Sequence, residues 1–481
     1  MRTARPRLER QRGRLTMLAT GSRGDVQPQV ALAMRLQQAG YQVRFATHRS
    51  FAALVGVGGL EHAILSGDSE KFFGGIGGIA LREKLRQPGA ASFVENVLGP
   101  FIRRFLAECI EISRDAQAVL YWPPSLVGPS LSERLGIPCI GVATYPLPHC
   151  RTRAFPNPWN PVSEGSLEGS SAGNLECGER STPGRGRAGS GAANERSWAA
   201  GEETLWTRLF HQEVARWRCQ QLGLAEQSPE EERRRLRRLP HLLGFSPEVL
   251  PRPRDWPSRM HVTGYWFLDL ASGFEPPPEL LDFLAAGEPP VAIGFGSMAA
   301  RDPRAMTEMA VEALGRAGRR GILLTGWGGL RRLDLPPSVF QITAVPHDWL
   351  FPRVAAVVHH GGSGTTAATL RAGAPSLIVP FGFDQPLWAA RLKTLGAAVD
   401  PIPQGELDAG NLAAAIRALT TDPRPRERAA ALARALAAED GPGQAVALVD
   451  RYIGVSGVSP ASVASVSSAS EPAGSLARRR A

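Results

Sequence analysis

Two short stretches carry side chains whose types and spacing could do chemistry together. The first is His359-His360-Gly361-Gly362-Ser363-Gly364-Thr365-Thr366, set between an apolar run (Ala355–Val358) and a helical segment (Ala367–Ala372). Glycines let a backbone approach phosphate oxygens closely, and the hydroxyls of Ser363, Thr365 and Thr366 can donate to them. Amides at a helix N-terminus also favour an anion, so a diphosphate is the ligand such a turn would stabilise. The second stretch is Gly21-Ser22-Arg23-Gly24-Asp25, a turn between the apolar run Leu15–Thr20 and a helical pattern over Val26–Ala39. Taken alone, Asp25 ahead of a helix reads as an N-cap, stabilising by about 1 kcal/mol. Ser22 and Arg23 share that turn; Arg23 either neutralises a diphosphate across a cleft or pairs with a surface carboxylate.

Both stretches need α/β units to position them. Val26, Val30, Ala33, Met34 and Leu36 recur at helical spacing, Gly40 ends the helix, and Tyr41–Thr47 returns as a strand. That βαβ unit predicts a parallel sheet with helices on both faces, continued by strands at Ala118–Trp122 and Cys139–Ala143. A second α/β series runs through the strand Val291–Gly296, the helix Ala305–Ala317, the strand Gly321–Thr325 and the glycine turn itself. The turn GSRGDVQP lacks the spacing G-x-G-x-x-G, so a nicotinamide fingerprint is not supported. The expected divisions are a disordered extension over 1–14, an α/β domain over 15–250, a linker over 251–274, an α/β domain over 275–453 and a disordered tail over 454–481. Within the first domain, 156–204 is dense in Gly, Ser, Glu and Arg and reads as a disordered insertion.

HHGGSGTT, followed further along by Asp384-Gln385, resembles the donor-sugar signature of family 1 glycosyltransferases. The subgroup is similar to the sterol glucosyltransferases and the bacterial antibiotic glycosyltransferases. The resemblance covers most of Leu15–Tyr452 and implies the GT-B architecture, two facing Rossmann-like α/β domains with a cleft between them. It implies that His360, Gly362, Ser363, Gly364 and Thr365 contact the diphosphate, and that Asp384 and Gln385 hydrogen-bond hydroxyls of the transferred hexose. Ser297, in Gly294-Phe295-Gly296-Ser297-Met298, would donate to the diphosphate, and the backbone of Val345 would read the uracil edge. Plant members carry Trp-x-Pro-Gln at that last segment, where Ala344 and His347 stand here in place of the Trp and the Gln. Many members also place Gly-His-x-x-Pro after the first strand, with the His as catalytic base. Gly24-Asp25-Val26-Gln27-Pro28 keeps that spacing with Asp in the His position. By this resemblance Asp25 is the base, a role that can coexist with capping. Trp349 reads as a core aromatic, and Trp388 either lies beside the hexose or packs on its own helix.

With 481 residues the chain is long enough for two domains of ordinary size. Its net charge of +10 is nearly all Arg, since Lys occurs only at Lys71, Lys84 and Lys393. No basic stripe with interleaved aromatics appears, so a nucleic-acid partner is not implied. Cys109, Cys139, Cys150, Cys177 and Cys219 are scattered without a CxxC pair, which fits neither a disulfide framework nor a zinc site. No metal and no cofactor are expected, only a UDP-sugar as co-substrate. No apolar run approaches the ~18–20 residues that span a bilayer, and the Arg-rich opening lacks the apolar core of a signal peptide. A cytoplasmic location is therefore expected. Phe72, Phe73, Ile76 and Ile79 suit an acceptor channel, a peripheral membrane contact or packed core. The function implied is inverting transfer of a hexose, expected to be glucose, from a UDP-sugar to a hydroxyl of a lipophilic acceptor such as a sterol or terpenoid. The alternatives are an antibiotic-type natural-product transferase using another nucleotide sugar, and a nucleotide-sugar-binding protein without turnover.

Overall fold

The computed structural model describes residues 12–68, 96, 99–147, 152, 154, 205–298, 300, 302–327 and 329–454. The expected insertion, the apolar residues from Phe72 to Ile79 and the tail beyond 454 lie outside the described residues. Seven strands form one sheet: β1 (Arg14–Leu18), β2 (Gln42–His48), β3 (Glu61–Leu65), β4 (Ala118–Tyr121), β5 (Cys139–Ala143), β6 (His241–Leu243) and β7 (Met260–Val262). Their spatial order is β3-β2-β1-β4-β5-β6-β7. Five more form the second sheet: β8 (Val291–Gly294), β9 (Gly321–Leu324), β10 (Val339–Ile342), β11 (Ala356–His359) and β12 (Ser376–Ile378), in the order β10-β9-β8-β11-β12.

Every pair is parallel; Leu15, for example, lies opposite Val43 on one side and Ala118 on the other. Strands covered on both faces need uninterrupted apolar residues, and β4 and β5 are buried along their whole length. Strand order reverses between β1 and β4 in the first sheet and between β8 and β11 in the second. The loops leaving the C-terminal ends of strands part at such a reversal and open a crevice there. Five helices matter for that crevice: α1 (Arg23–Gln38), α2 (Pro303–Ala317), α3 (Ser363–Arg371), α4 (Gln385–Leu395) and α5 (Gly441–Ile453). α1 follows β1 and α3 follows β11, so each enters its domain at the reversal point.

Three expected boundaries are corrected. The first fourteen residues are not all a loose extension, since Arg14 opens β1 and Arg12 donates to Asp450 at 2.5 Å. The span 251–274 is not only a connector: Met260 is fully buried, and β7 extends the first sheet beyond β6. α3 begins at Ser363 rather than Ala367. Gly362 holds an extended N-cap conformation and its carbonyl accepts from the Thr366 amide at 2.9 Å, so small turn-forming residues make the first helical turn.

The terminal helix α5 ties the two halves together. Ala445 and Val449 are fully buried in the same apolar cluster as Leu15, Val30, Leu36 and Phe45 of the first sheet and α1. Asp450 on α5 accepts from both Arg12 and the Tyr41 hydroxyl, each at 2.5 Å. Val449→Asp would place an unpaired charge in that cluster. Chemical denaturation should then show a loss of about 3 kcal/mol or more; unchanged stability would show that α5 does not brace the first domain.

Candidate functional site

The site is built from loops at the two reversal points. On the first domain, Ser22 caps α1 and Asp25 occupies its third helical position. Asp25 Oδ2 accepts from the Ser22 amide at 2.7 Å and from Ser22 Oγ at 2.9 Å, which closes a capping box. The carboxylate is therefore not the N-cap that a sequence reading suggests; it reaches back to satisfy the residue that is. Tyr145, two residues beyond β5, and Trp122 both hydrogen-bond Asp25, and the Tyr145 hydroxyl accepts from Trp122 Nε1 at 3.0 Å. Burial pushes the Asp25 pKa above the ordinary carboxylate value, against the opposing pull of the Ser22 hydrogen bonds.

On the second domain, the glycine turn opens directly into α3, so Ser363, Gly364 and Thr365 form its first turn behind Gly362. The amides of that turn have no partner one helical turn back; that of Ser363 hydrogen-bonds Asp384, while those of Gly364 and Thr365 are placed to meet an anion. His360 fits a slot between two glycines. A Cβ on Gly296 would lie 2.8 Å from its ring, and one on Gly362 would lie 2.5 Å from it. Gly296 has φ of 60°, a conformation glycine adopts at no steric cost. Burial, with His347 nearby, lowers the His360 pKa to about 4, and its Nδ1 is buried without a partner. The ring is neutral at neutral pH and can offer an N–H, not a full charge.

Asp384 and Gln385 begin α4. Asp384 is buried and its Oδ2 accepts from Trp388 Nε1 at 2.7 Å. Its pKa is pushed up to about 7, first by burial and then by the charge of Asp25, with the Trp388 bond working the other way. Trp388 is fully buried edge-on to Phe245, 5.8 Å between centroids, so it packs and holds Asp384. The side-chain oxygen of Gln385 is engaged by the amides of Phe381 and Gly382 at 2.7 and 3.2 Å. Only its amide N–H groups are left to reach outward.

At the far end, Val345 is buried and His347 stacks on Phe351 with centroids 4.4 Å apart. Burial, then Arg23 opposite, lowers the His347 pKa to about 4. Arg23 itself donates to Gln27 at 2.9 Å. Trp349 is packed edge-on against Phe274 at 5.3 Å and under the Arg353 guanidinium, as a core aromatic. Asp348 fixes this segment to the interdomain connection by accepting from the amides of Leu270 and Ala271, both at 2.8 Å.

The two sets meet in a single cavity of about 1780 Å³. Ser22, Arg23 and Asp25 line it from one domain; Ser297, Val345, His360, the first turn of α3, Asp384 and Gln385 line it from the other. The domains touch at its waist. Thr144 Oγ1 and Ser363 Oγ are 2.9 Å apart and buried, and a Cβ on Gly364 would sit 3.4 Å from Gly24 Cα. Thr144 and Trp122 escaped the sequence reading as site residues. Their signal is positional, since each follows a parallel strand at its C-terminal end. Among the described residues no group of three or more His, Cys, Asp or Glu could hold a metal ion, and no helix is long and apolar enough to cross a membrane.

Residues 15–156 match the glycosyltransferase family 28 N-terminal domain, and residues 329–450 match the C-terminal domain typified by erythromycin biosynthesis protein CIII. A sterol 3-beta-glucosyltransferase of Arabidopsis thaliana is 35% identical over 90% of this chain and 64% of its own length. The chain thus spans less than two thirds of that relative. The O-mycaminosyltylonolide 6-deoxyallosyltransferase of Streptomyces fradiae is 37% identical over 91% of this chain and 97% of its own. Among solved structures, the glycosyltransferase VinC in complex with dTDP superposes with a TM-score of 0.57 at 18% identity, covering 92% of this chain and 100% of the other.

Gly362→Ala tests the slot. The added methyl would push the His360 ring, and Gly296 on its other side leaves it no room to retreat. Calorimetric titration with UDP or dTDP should show affinity falling about tenfold or more with little change in melting temperature. Unaltered affinity would remove the ring from the phosphate site.

Proposed function

This chain belongs to the family 1 glycosyltransferases of GT-B fold, and on that premise we propose that it moves a hexose from a nucleoside diphosphate sugar to a hydroxyl of a lipophilic acceptor. The carrying observation is the juxtaposition at the cavity waist. The Asp25 carboxylate of one domain shares the cavity with the N-terminal turn of α3 on the other, where Gly364 approaches Gly24 closely and Thr144 bonds Ser363.

Transfer needs a base for the acceptor proton, stabilisation of the leaving diphosphate and a sugar held in line. Asp25 takes the proton as the acceptor oxygen bonds to the anomeric carbon. The bond from that carbon to the diphosphate breaks on the opposite face, so configuration inverts. The leaving charge is met by the amides of α3, by the hydroxyls of Ser297, Ser363 and Thr365, and by neutral His360. If Thr144 donates in its bond to Ser363, the Ser363 hydroxyl proton remains available to the phosphate. Asp384 accepts from, or when protonated donates to, hydroxyls of the sugar, while Gln385 presents its amide N–H groups.

An ordinary carboxylate is a weak base toward an alcohol; the raised pKa of Asp25 brings it nearer the working pH. Van der Waals surface from Trp122, Pro123, Leu126 and Leu147 supports an apolar acceptor on the first-domain side. UDP-glucose and a sterol or terpenoid are the donor and acceptor we favour, after the plant relative. The Streptomyces relative, matched over nearly its whole length, favours a macrolide-type acceptor and a deoxysugar donor as the second reading.

Asp25→Asn should cut kcat about a hundred- to ten-thousand-fold while UDP binding persists, measured with a panel of UDP- and dTDP-sugars against sterol and macrolide acceptors by mass spectrometry. Because Asp25 works deprotonated and its pKa is raised, the acid limb of kcat/KM should lie above the ordinary carboxylate range of about 4. Full turnover by the Asn variant would place the base elsewhere, and no transfer by the unaltered protein with any pair in the panel would leave a binding protein.

A further inference from the structure

We propose that Tyr145, backed by Trp122, is a positioning residue that holds the Asp25 carboxylate in the orientation from which it takes the acceptor's proton; this rests on Asp25 being the base. The three groups arrive from three different strands. Asp25 follows β1, Trp122 follows β4 and Tyr145 follows β5, so only the parallel sheet brings them together. Tyr145 and Trp122 are both buried.

The direction of the hydrogen bonds follows from their chemistry. An indole N–H can only donate, so in the 3.0 Å contact the Tyr145 oxygen accepts. The single phenolic proton is then left for Asp25, with which Tyr145 is hydrogen-bonded. A phenol already accepting a hydrogen bond is a better donor, because polarisation along such a chain strengthens the next bond. Buried as it is, the phenol stays protonated at any working pH.

The surroundings make this contact count. The Ser22 bonds tie Asp25 only to its own helical turn, whereas Tyr145, and with it Trp122, ties it to the sheet. The titratable groups that face it are Tyr145 and, from the other domain, Asp384, whose charge opposes its own. Arg23, on the same turn, is engaged with Gln27 and faces His347. Ionised Asp25 is therefore supported by neutral donors, and losing one of them should be visible in its titration.

The test is Tyr145→Phe, which keeps the ring and removes the proton. We expect kcat to fall about tenfold or more, donor KM to stay within about twofold, and the acid limb of kcat/KM to move to higher pH. A packing role alone would not move that limb. Trp122→Phe, which keeps the Tyr145 hydroxyl, should give a smaller shift in the same direction and serves if the first variant does not fold. An inactive Asp25→Asn together with an unmoved limb and near-normal kcat in the folded Tyr145 or Trp122 variant would overturn this inference alone. An Asp25→Asn variant with full turnover would overturn the base and this inference with it.

Discussion

Everything at this site depends on the close approach of two loops, one from each domain. The turn at Gly24 and the first turn of the helix at Ser363 approach until a Cβ on Gly364 would touch the Gly24 backbone, and the Thr144–Ser363 bond closes beside them. A methyl at Gly364 would just fill the space before Gly24, whereas one at Gly24 would meet only Ser22 Oγ, at 3.5 Å. Helix α5 braces the first domain as well, burying Val449 in its core and bonding Asp450 to Arg12 and Tyr41.

That closeness has an electrostatic consequence. Two carboxylates, Asp25 and Asp384, share one buried cleft, and each raises the cost of ionising the other. His347 and His360 are driven neutral in the same space. Besides Arg23, which lines the same cavity, the cleft meets a diphosphate with neutral dipoles, the Gly364 and Thr365 amides and nearby hydroxyls. Such dipoles, fixed in place before the ligand arrives, need little reorganisation when charge develops.

Some of the site was legible early because its chemistry is local. The glycine turn announced itself through residue types that serve little else at that spacing, and every residue expected there lines the cavity. The Asp25 turn was visible too, though its capping geometry was misassigned by three positions: whether Asp or Ser is the N-cap depends on where the first helical bond forms. Trp388 could not be decided from spacing, since a position four residues after Asp384 places it beside that side chain without saying whether sugar or Phe245 fills its other face. Gln385 looked like a sugar ligand, yet its oxygen is taken by two amides of its own loop.

By itself the sequence determined the two parallel α/β units, the reversal of helix and strand around the glycine turn, and the anion chemistry of that turn. These follow from periodicity and from residue types whose effect is felt within a few positions. Only the tertiary structure decided which groups surround the carboxylate, because Trp122 and Tyr145 reach it from the ends of β4 and β5, which lie far from Asp25 along the chain. It alone also decided the titration of Asp384 and His360, since burial and facing charge are properties of the closed cleft and of no single segment.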